Sequence, residues 1–310
     1  MKVFYSDQFV LPLPEGHRFP MKKYSMLRER VAADDICAPG ELRAPHAVTD
    51  EEILRAHDPG YLKKVVTGTL TDKEMRRIGF PWSTRMVERS RRASGGTLDA
   101  CRVALEEGLS ANLAGGTHHA FADRGEGFCV LNDSAIAARA LRSEGLVDKV
   151  VVLDTDVHQG NGTAAILKGD PHVFTFSIHG AKNFPFHKEE SNLDVGLPDG
   201  ADDGEYLAAL ERGLEEALDR SEADLAIFLG GADPFEDDRL GRLSVTKEGL
   251  AERDRLVLGS CRERGLPVIV TMGGGYARKV EDTVDIHFQT VSQAAALLRS
   301  EQTRKEPRHE

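Results

Sequence analysis

The sequence has little cysteine. Its four residues, Cys37, Cys101, Cys129 and Cys261, are far apart and form no Cys-x-x-Cys pair. This argues against a disulfide scaffold and a thiolate-ligated zinc, and it fits a reducing compartment. No apolar run approaches membrane-spanning length. The N-terminal Met-Lys-Val-Phe-Tyr-Ser-Asp meets a charge too early for a signal segment, so a cytoplasmic location is expected. No Gly-Lys-Ser/Thr and no Gly-x-Gly-x-x-Gly follows an apolar run, which leaves nucleotide binding with weak support. A basic excess is missing too: the net charge is −11. Acidity of this kind disfavours nucleic acid and anionic membranes and mildly favours a cationic substrate. There is no internal repeat and no low-complexity linker in the 310 residues. One α/β domain over residues 1–300 is expected, with a disordered tail at 301–310 that has nothing apolar to bury.

What is present is a set of short apolar runs, at 149–153, 172–178, 224–229 and 267–271. They show little polar alternation, as parallel strands covered on both faces do. Helical stretches separate several of them: 83–108, with a break allowed at Gly95-Gly96, then 203–220 and 246–264. Thr49-Asp-Glu-Glu52 is a capping box, and Asn132 or Asp133 caps a helix that ends at Gly145. The expected architecture is α/β, a central, mostly parallel sheet with helices on both faces.

Each of the four runs ends in polar residues. Asp154, Asp156 and His158 leave the first, Ser177 and His179 the second, Asp233 the third, and Gly273-Gly-Gly-Tyr276 the fourth. Ligands of open α/β sheets bind outside the carboxyl ends of the strands, so these residues are expected to form one site. Asp156, His158 and Asp233 make a mixed nitrogen and oxygen set suited to a divalent metal with open positions. Asp-x-His on an extended segment puts both side chains on one face. Asp154 shares that face and is better used to orient an imidazole. Alternatively, these aspartates merely cap the Gly-Asn-Gly-Thr turn that follows.

His118 and His119 follow Gly115-Gly-Thr117. With a ligand set already filled, the pair is assigned to acid–base work on a metal-activated water, whose pKa falls to about 7. Tyr276, just past three glycines, is placed to donate to a developing oxyanion, or else it is a packed aromatic. Phe128 and either Phe184 or Phe186 lie on loops beside these motifs and could wall a narrow channel for an alkyl chain. Loops 12–24 and 181–192 are expected to shape its mouth.

Gly115-Gly-Thr-His-His-Ala120, Gly127-Phe-Cys-Val-Leu-Asn-Asp133, Asp154-Thr-Asp-Val-His158-Gln-Gly-Asn161, Gly231-Ala-Asp233-Pro and Gly273-Gly-Gly-Tyr276 occur in this order. Together they resemble the zinc-dependent histone deacetylase family, over about residues 15 to 300. Arg77-Ile-Gly-Phe-Pro-Trp82-Ser and Lys182-Asn-Phe-Pro-Phe186 look most like bacterial members near its class IV branch. The resemblance implies the three-layer arginase/deacetylase-like fold. It implies zinc, or iron(II), on Asp156, His158 and Asp233. His119 would be the general base and acid, His118 its electrostatic partner held by Asp154, and Tyr276 the oxyanion donor. A structural potassium ion would use Asp154, Asp156, His158 and Ser177. Phe128 and Phe184, with Gly127 and Gly274, would form the acyl-lysine channel. Some members carry Asp at the position of Asn161, the expected partner of His119, so a pH optimum shifted from theirs is expected.

The expected reaction is removal of an acetyl or other short acyl group from the ε-amine of lysine in a protein or peptide. An acetylpolyamine or other acetylated amine is the nearest alternative substrate. A non-catalytic acyl-lysine binding protein is disfavoured by the intact set of site residues. An arginase-like ureohydrolase would want a two-manganese cluster with more carboxylates.

Overall fold

The computed structural model describes residues 1–34 and 36–305, with side chains to residue 300. Eight strands among them form one sheet: β1 (Val3–Phe4), β2 (Leu42–Arg43), β3 (Leu109–Asn112), β4 (Val150–Asp154), β5 (Val173–Gly180), β6 (Leu193–Leu197), β7 (Leu225–Gly230) and β8 (Val268–Met272). Their order across the sheet is β2-β1-β3-β8-β7-β4-β5-β6, and every pairing is parallel.

The helices are α1 (Lys22–Ala33), α2 (Asp50–Leu54), α3 (Pro59–Thr67), α4 (Asp72–Ile78), α5 (Thr84–Glu107), α6 (Asp133–Ser143), α7 (Asn161–Leu167), α8 (Asp203–Ser221), α9 (Lys247–Glu263) and α10 (Val280–Lys305). They cover both faces, and the period of two along each strand sorts the core accordingly. Val151, Leu153, Ala226, Phe228, Val268 and Val270 pack with α1, α8, α9 and α10. Val150, Val152, Leu225, Ile227 and Ile269 pack with α2, α3, α5, α6 and α7. This is the three-layer arrangement expected from the sequence. The four expected strands are present, each shifted by about one residue.

The helix starts follow from their caps. Thr49 and Glu52 form the reciprocal capping box, and Asn132, not Asp133, caps α6 by accepting from the Ala135 amide at 3.0 Å. Helix α5 runs unbroken through Gly95 and Gly96, where the sequence allowed a break. These glycines serve close packing. A Cβ at Gly95 would lie 2.0 Å from the His46 carbonyl oxygen, and one at Gly96 would lie 2.6 Å from Asn112 Oδ1. Helix α10 continues to Lys305, five residues into the stretch expected to be a disordered tail, and 306–310 lie outside the described residues. No helix among the described residues is long and apolar enough to cross a membrane.

Candidate active site

Strands β4, β7 and β8 are paired in register, Asp154 with Leu229 and Leu229 with Thr271, so the loops after them leave the sheet side by side. Those loops bring Asp156, His158 and Asp233 together. Their donor atoms lie within 4.8 Å of one another, and the residues are 1%, 7% and 0% exposed. His158 Nδ1 is 3.0 Å from Asp156 Oδ1 and 3.1 Å from Asp233 Oδ2.

The backbone fixes the set. Asp154 Oδ1 accepts from the Asp156 amide at 3.0 Å, and Asp233 Oδ1 from the Val157 amide at 3.0 Å. Asp156 Oδ2 accepts from the Gly274 amide at 2.5 Å. No side chain fits at Gly274, since a Cβ there would lie 1.8 Å from Asp233 Oδ2.

The electrostatics fit a cation. Burial and the neighbouring Asp156 push Asp233 up to about 7. Burial works against charge on His158, but Asp156 and Asp233 outweigh it and raise its pKa to about 10. Two carboxylates this close and out of water need a shared positive charge. Two oxygen donors and one nitrogen donor suit a divalent metal ion in that role.

The histidine pair sits on the loop after β3. Asp133 clamps this loop by accepting from the Gly116 amide at 3.0 Å and from the Thr117 amide and hydroxyl, each at 2.8 Å. Gly116 has φ 61°, and a Cβ there would lie 2.2 Å from the Met272 carbonyl oxygen. The two imidazoles are 4.1 Å apart and both are buried, yet they have opposite surroundings. His118 Nδ1 is 2.7 Å from Asp154 Oδ2, and His119 Nδ1 is 2.7 Å from Asn161 Oδ1.

Burial alone would lower His118, but Asp154 and Asp156 raise it to about 9. Burial raises the Asp154 carboxyl as well, so the two groups hold a proton between them. With Asp156 Oδ1 a further 3.9 Å from His118 Nε2, we place that proton on the imidazole. Burial, with His118 and His158 nearby, drives His119 well below its usual value. The pair therefore consists of one cationic and one neutral ring. The neutral ring donates from Nδ1 to the Asn161 oxygen, which leaves Nε2 as a free acceptor.

Tyr276 is buried, and burial raises its hydroxyl well above the usual value, so it remains a proton donor. Its backbone amide donates to Asp238 Oδ2 at 2.6 Å, and Arg239 Nε donates to its carbonyl at 2.9 Å. The Lys23 ammonium, also buried, sits 5.3 Å from its ring centroid.

A cavity of about 650 Å³ opens above this floor, lined by Phe128, Phe184, Gly127 and Gly274 among others. Phe128 has φ 66°, a conformation costing about 1 kcal/mol or more for a bulky residue. Its amide donates to the Ile78 carbonyl at 2.7 Å, which holds it there. Phe184 meets the His119 ring edge-on at 5.0 Å, whereas Phe186 is 80% exposed at the mouth. Both loops expected at the mouth contribute, through Arg18 and Phe19 and through Lys182, Asn183, Phe184 and Phe186. Ser177 pairs with Asp154 across the sheet, and its hydroxyl bonds His179 Nδ1 at 2.9 Å.

The sequence reading gave Asp133 only as a possible helix cap and as part of a family motif, without its grip on the histidine loop, and it missed Asp238, Arg239 and Lys23. Asp238 acts on backbone amides, and nothing in its local sequence sets it apart from other acidic residues. Lys23 stands beside Lys22 near the start of a helix with ordinary charge content.

A sequence profile of the histone deacetylase domain matches residues 17–291. An uncharacterized protein of Picosynechococcus sp. is 46% identical over 285 residues, covering 92% of this chain and 95% of that protein. Histone deacetylase 2 of Arabidopsis thaliana is 26% identical over 302 residues, covering 92% of this chain and 78% of that protein. Among solved structures, an HDAC homolog from Aquifex aeolicus has the same fold. Its TM-score is 0.80 at 24% identity, over 95% of this chain and 84% of that one.

Proposed function

The chain belongs to the histone deacetylase family, and from that membership we propose that it is a metal-dependent hydrolase acting on acyl-lysine. It would remove an acetyl or other short acyl group from the ε-amine in a protein or peptide. The observation that carries the reading is convergence: three buried side chains able to hold a metal ion, two adjacent buried imidazoles and a buried phenol line one cavity.

Asp156, His158 and Asp233 would hold zinc, or iron(II), and the bound ion supplies Lewis-acid polarisation of the acyl carbonyl and of the attacking water. His119 Nε2 takes a proton from that water as the carbon–oxygen bond forms. Asn161 keeps Nδ1 as the donor, so Nε2 is the basic atom. The Tyr276 hydroxyl donates to the oxygen that gains charge. His118, paired with Asp154, would act as the electrostatic partner of His119. His119 then returns its proton to the nitrogen as the carbon–nitrogen bond breaks, leaving a carboxylic acid and an amine, and transfer of the acid's proton to the amine gives the carboxylate and the ammonium. Phe128 and Phe184 flank the aliphatic lysine stem, with Gly127 and Gly274 giving it room. A structural potassium ion on Asp154, Asp156, His158 and Ser177 belongs to the same proposal. We assign the activity to the cytoplasm, where the four free cysteines stay as thiols.

The test is hydrolysis of acyl-lysine peptides and of acetylated polyamines by zinc-loaded protein, with and without a hydroxamate chelator. The expected result is chelator-sensitive turnover of peptide, with kcat lowered about 10²–10³-fold in Tyr276→Phe. Turnover of polyamines alone would move the substrate to small amines. No turnover by protein with zinc bound would leave an acyl-lysine binding protein.

A further inference from the structure

We propose that the mouth of the cavity selects acyl-lysine segments with carboxylates near the acylated lysine, an inference that rests on the acyl-lysine reading of the floor. The chain as a whole is acidic, with net charge −11. Its mouth is not. Above the floor, the lining carries Arg18, Arg77, Lys182, Arg239 and Arg242, all exposed, against one carboxylate, Glu126. That carboxylate already faces Arg124 Nε at 3.9 Å.

Little nearby cancels this charge. Arg18 and Arg77 have no ion pair among the described residues. Arg239 spends one N–H on the Tyr276 carbonyl, a neutral partner. Lys182 and Arg242 share a single carboxylate, Asp199, at 3.9 and 3.2 Å.

Four of the five cations fall into two groups. His17 Nε2 bonds the Gly79 carbonyl at 2.9 Å, which ties the segment of Arg18 to that of Arg77. Asp199 ties Lys182 to Arg242. Cations spread over two groups suit an extended chain bearing separated negative charges better than one compact anion. A concave mouth of one sign concentrates ligands of the other and repels its own. An acetylated polyamine, itself a cation, is the ligand this mouth repels, although net charge alone would favour it.

The experiment uses fluorescein-labelled acetyl-lysine peptides of equal length, flanked by Glu, Gln or Lys. It measures kcat/KM and, separately, Kd by anisotropy with zinc-loaded protein. The acidic peptide is expected to be favoured about tenfold over the neutral one in both, the scale of a few exposed charge pairs acting together. The preference should shrink severalfold in about 0.5 M salt. In the double variant Arg18→Glu/Arg77→Glu the ratio of acidic to neutral should fall to about one or invert. In Arg212→Glu, an exposed arginine that does not line the cavity, the ratio should stay. Equal or better use of the neutral or basic peptide overturns the proposal, as does faster turnover of acetylspermidine than of the acidic peptide. Acid-selective binding with no hydrolysis supports this inference and defeats the hydrolase reading. Hydrolysis without charge preference does the reverse.

Discussion

At the cavity floor, Asp156 and Asp233 are buried, and backbone amides hold them in place. At the mouth, Arg18, Arg77 and Lys182 stand exposed on loops or a helix end, and Lys182 is 3.9 Å from the nearest carboxylate. The same kind of group, a charged side chain, therefore has very different weight in the two places. Removing one partner from a buried charged set leaves the others desolvated and uncompensated. Removing one exposed charge leaves a gap that water and salt fill. The floor should thus respond to single substitutions by orders of magnitude, and the mouth only to several at once.

The strongest way to sharpen this contrast is Asp233→Ala. It should abolish zinc retention, read by metal analysis after dialysis, and lower kcat/KM at least about 10³-fold. Retained zinc and activity would break the comparison at its base.

The next test concerns the floor's foundation. His57 is buried, and its Nε2 accepts from the Asn132 amide at 2.9 Å, while the Asn132 side chain donates to the Ala120 carbonyl at 3.0 Å in the histidine loop. Burial lowers the His57 pKa to about 4 from an unfolded value near 6.5. The unfolded chain therefore binds the proton first as pH falls. The stability from neutral His57 is complete above pH 6.5 and is lost between 6.5 and about 4, up to about 3 kcal/mol. Denaturant titrations at pH 7 and pH 5 should show this loss, and it should be smaller in His57→Gln.

A smaller effect is expected from Asn161→Asp, which places a carboxylate on His119 Nδ1. It should raise the His119 pKa and so move the acid limb of kcat/KM upward by about one pH unit. An unmoved limb would mean that another group is the base. Smallest of all, Lys182→Ala at the mouth should change kcat/KM for a neutral peptide less than about threefold. A hundredfold loss would show the mouth to be as tightly built as the floor.

The floor was also the more legible part of the molecule. Strands β4, β5, β7 and β8 are apolar along their length because helices cover both faces, and their ligands follow within a few residues. Strand β3 was invisible to that reading. It is Leu-Ser-Ala-Asn, whose Ser110 and Asn112 are buried only because they donate to the Ala100 and Ala93 carbonyls of α5. Strand β6 alternates between half-buried and exposed residues from Leu193 to Gly196 along the sheet edge and ends on buried Leu197. The partners Asp154 and Asn161 came from the family resemblance, whereas the opposite shifts of His118 and His119 follow from the carboxylates beside one and from burial among imidazoles for the other, which adjacency in sequence does not show. The mouth could not be read because its cations come from segments more than 200 residues apart, and the net charge averages them away.

Strand β8 is the last of the eight described strands in chain order, yet it lies in the middle of the sheet, between β3 and β7. On the ribosome, the N-terminal strands β1 to β3 and the later strands β4 to β7 can form only two separate half-sheets. Each half keeps a raw edge awaiting the same partner. The join closes only when residues 268–272 have left the exit tunnel, and only then can Gly274 reach Asp156. The candidate metal site is thereby completed only after residues 268–274 have emerged. A chain released before residue 268 would carry two exposed sheet edges and an unfinished site, a substrate for chaperones or proteases.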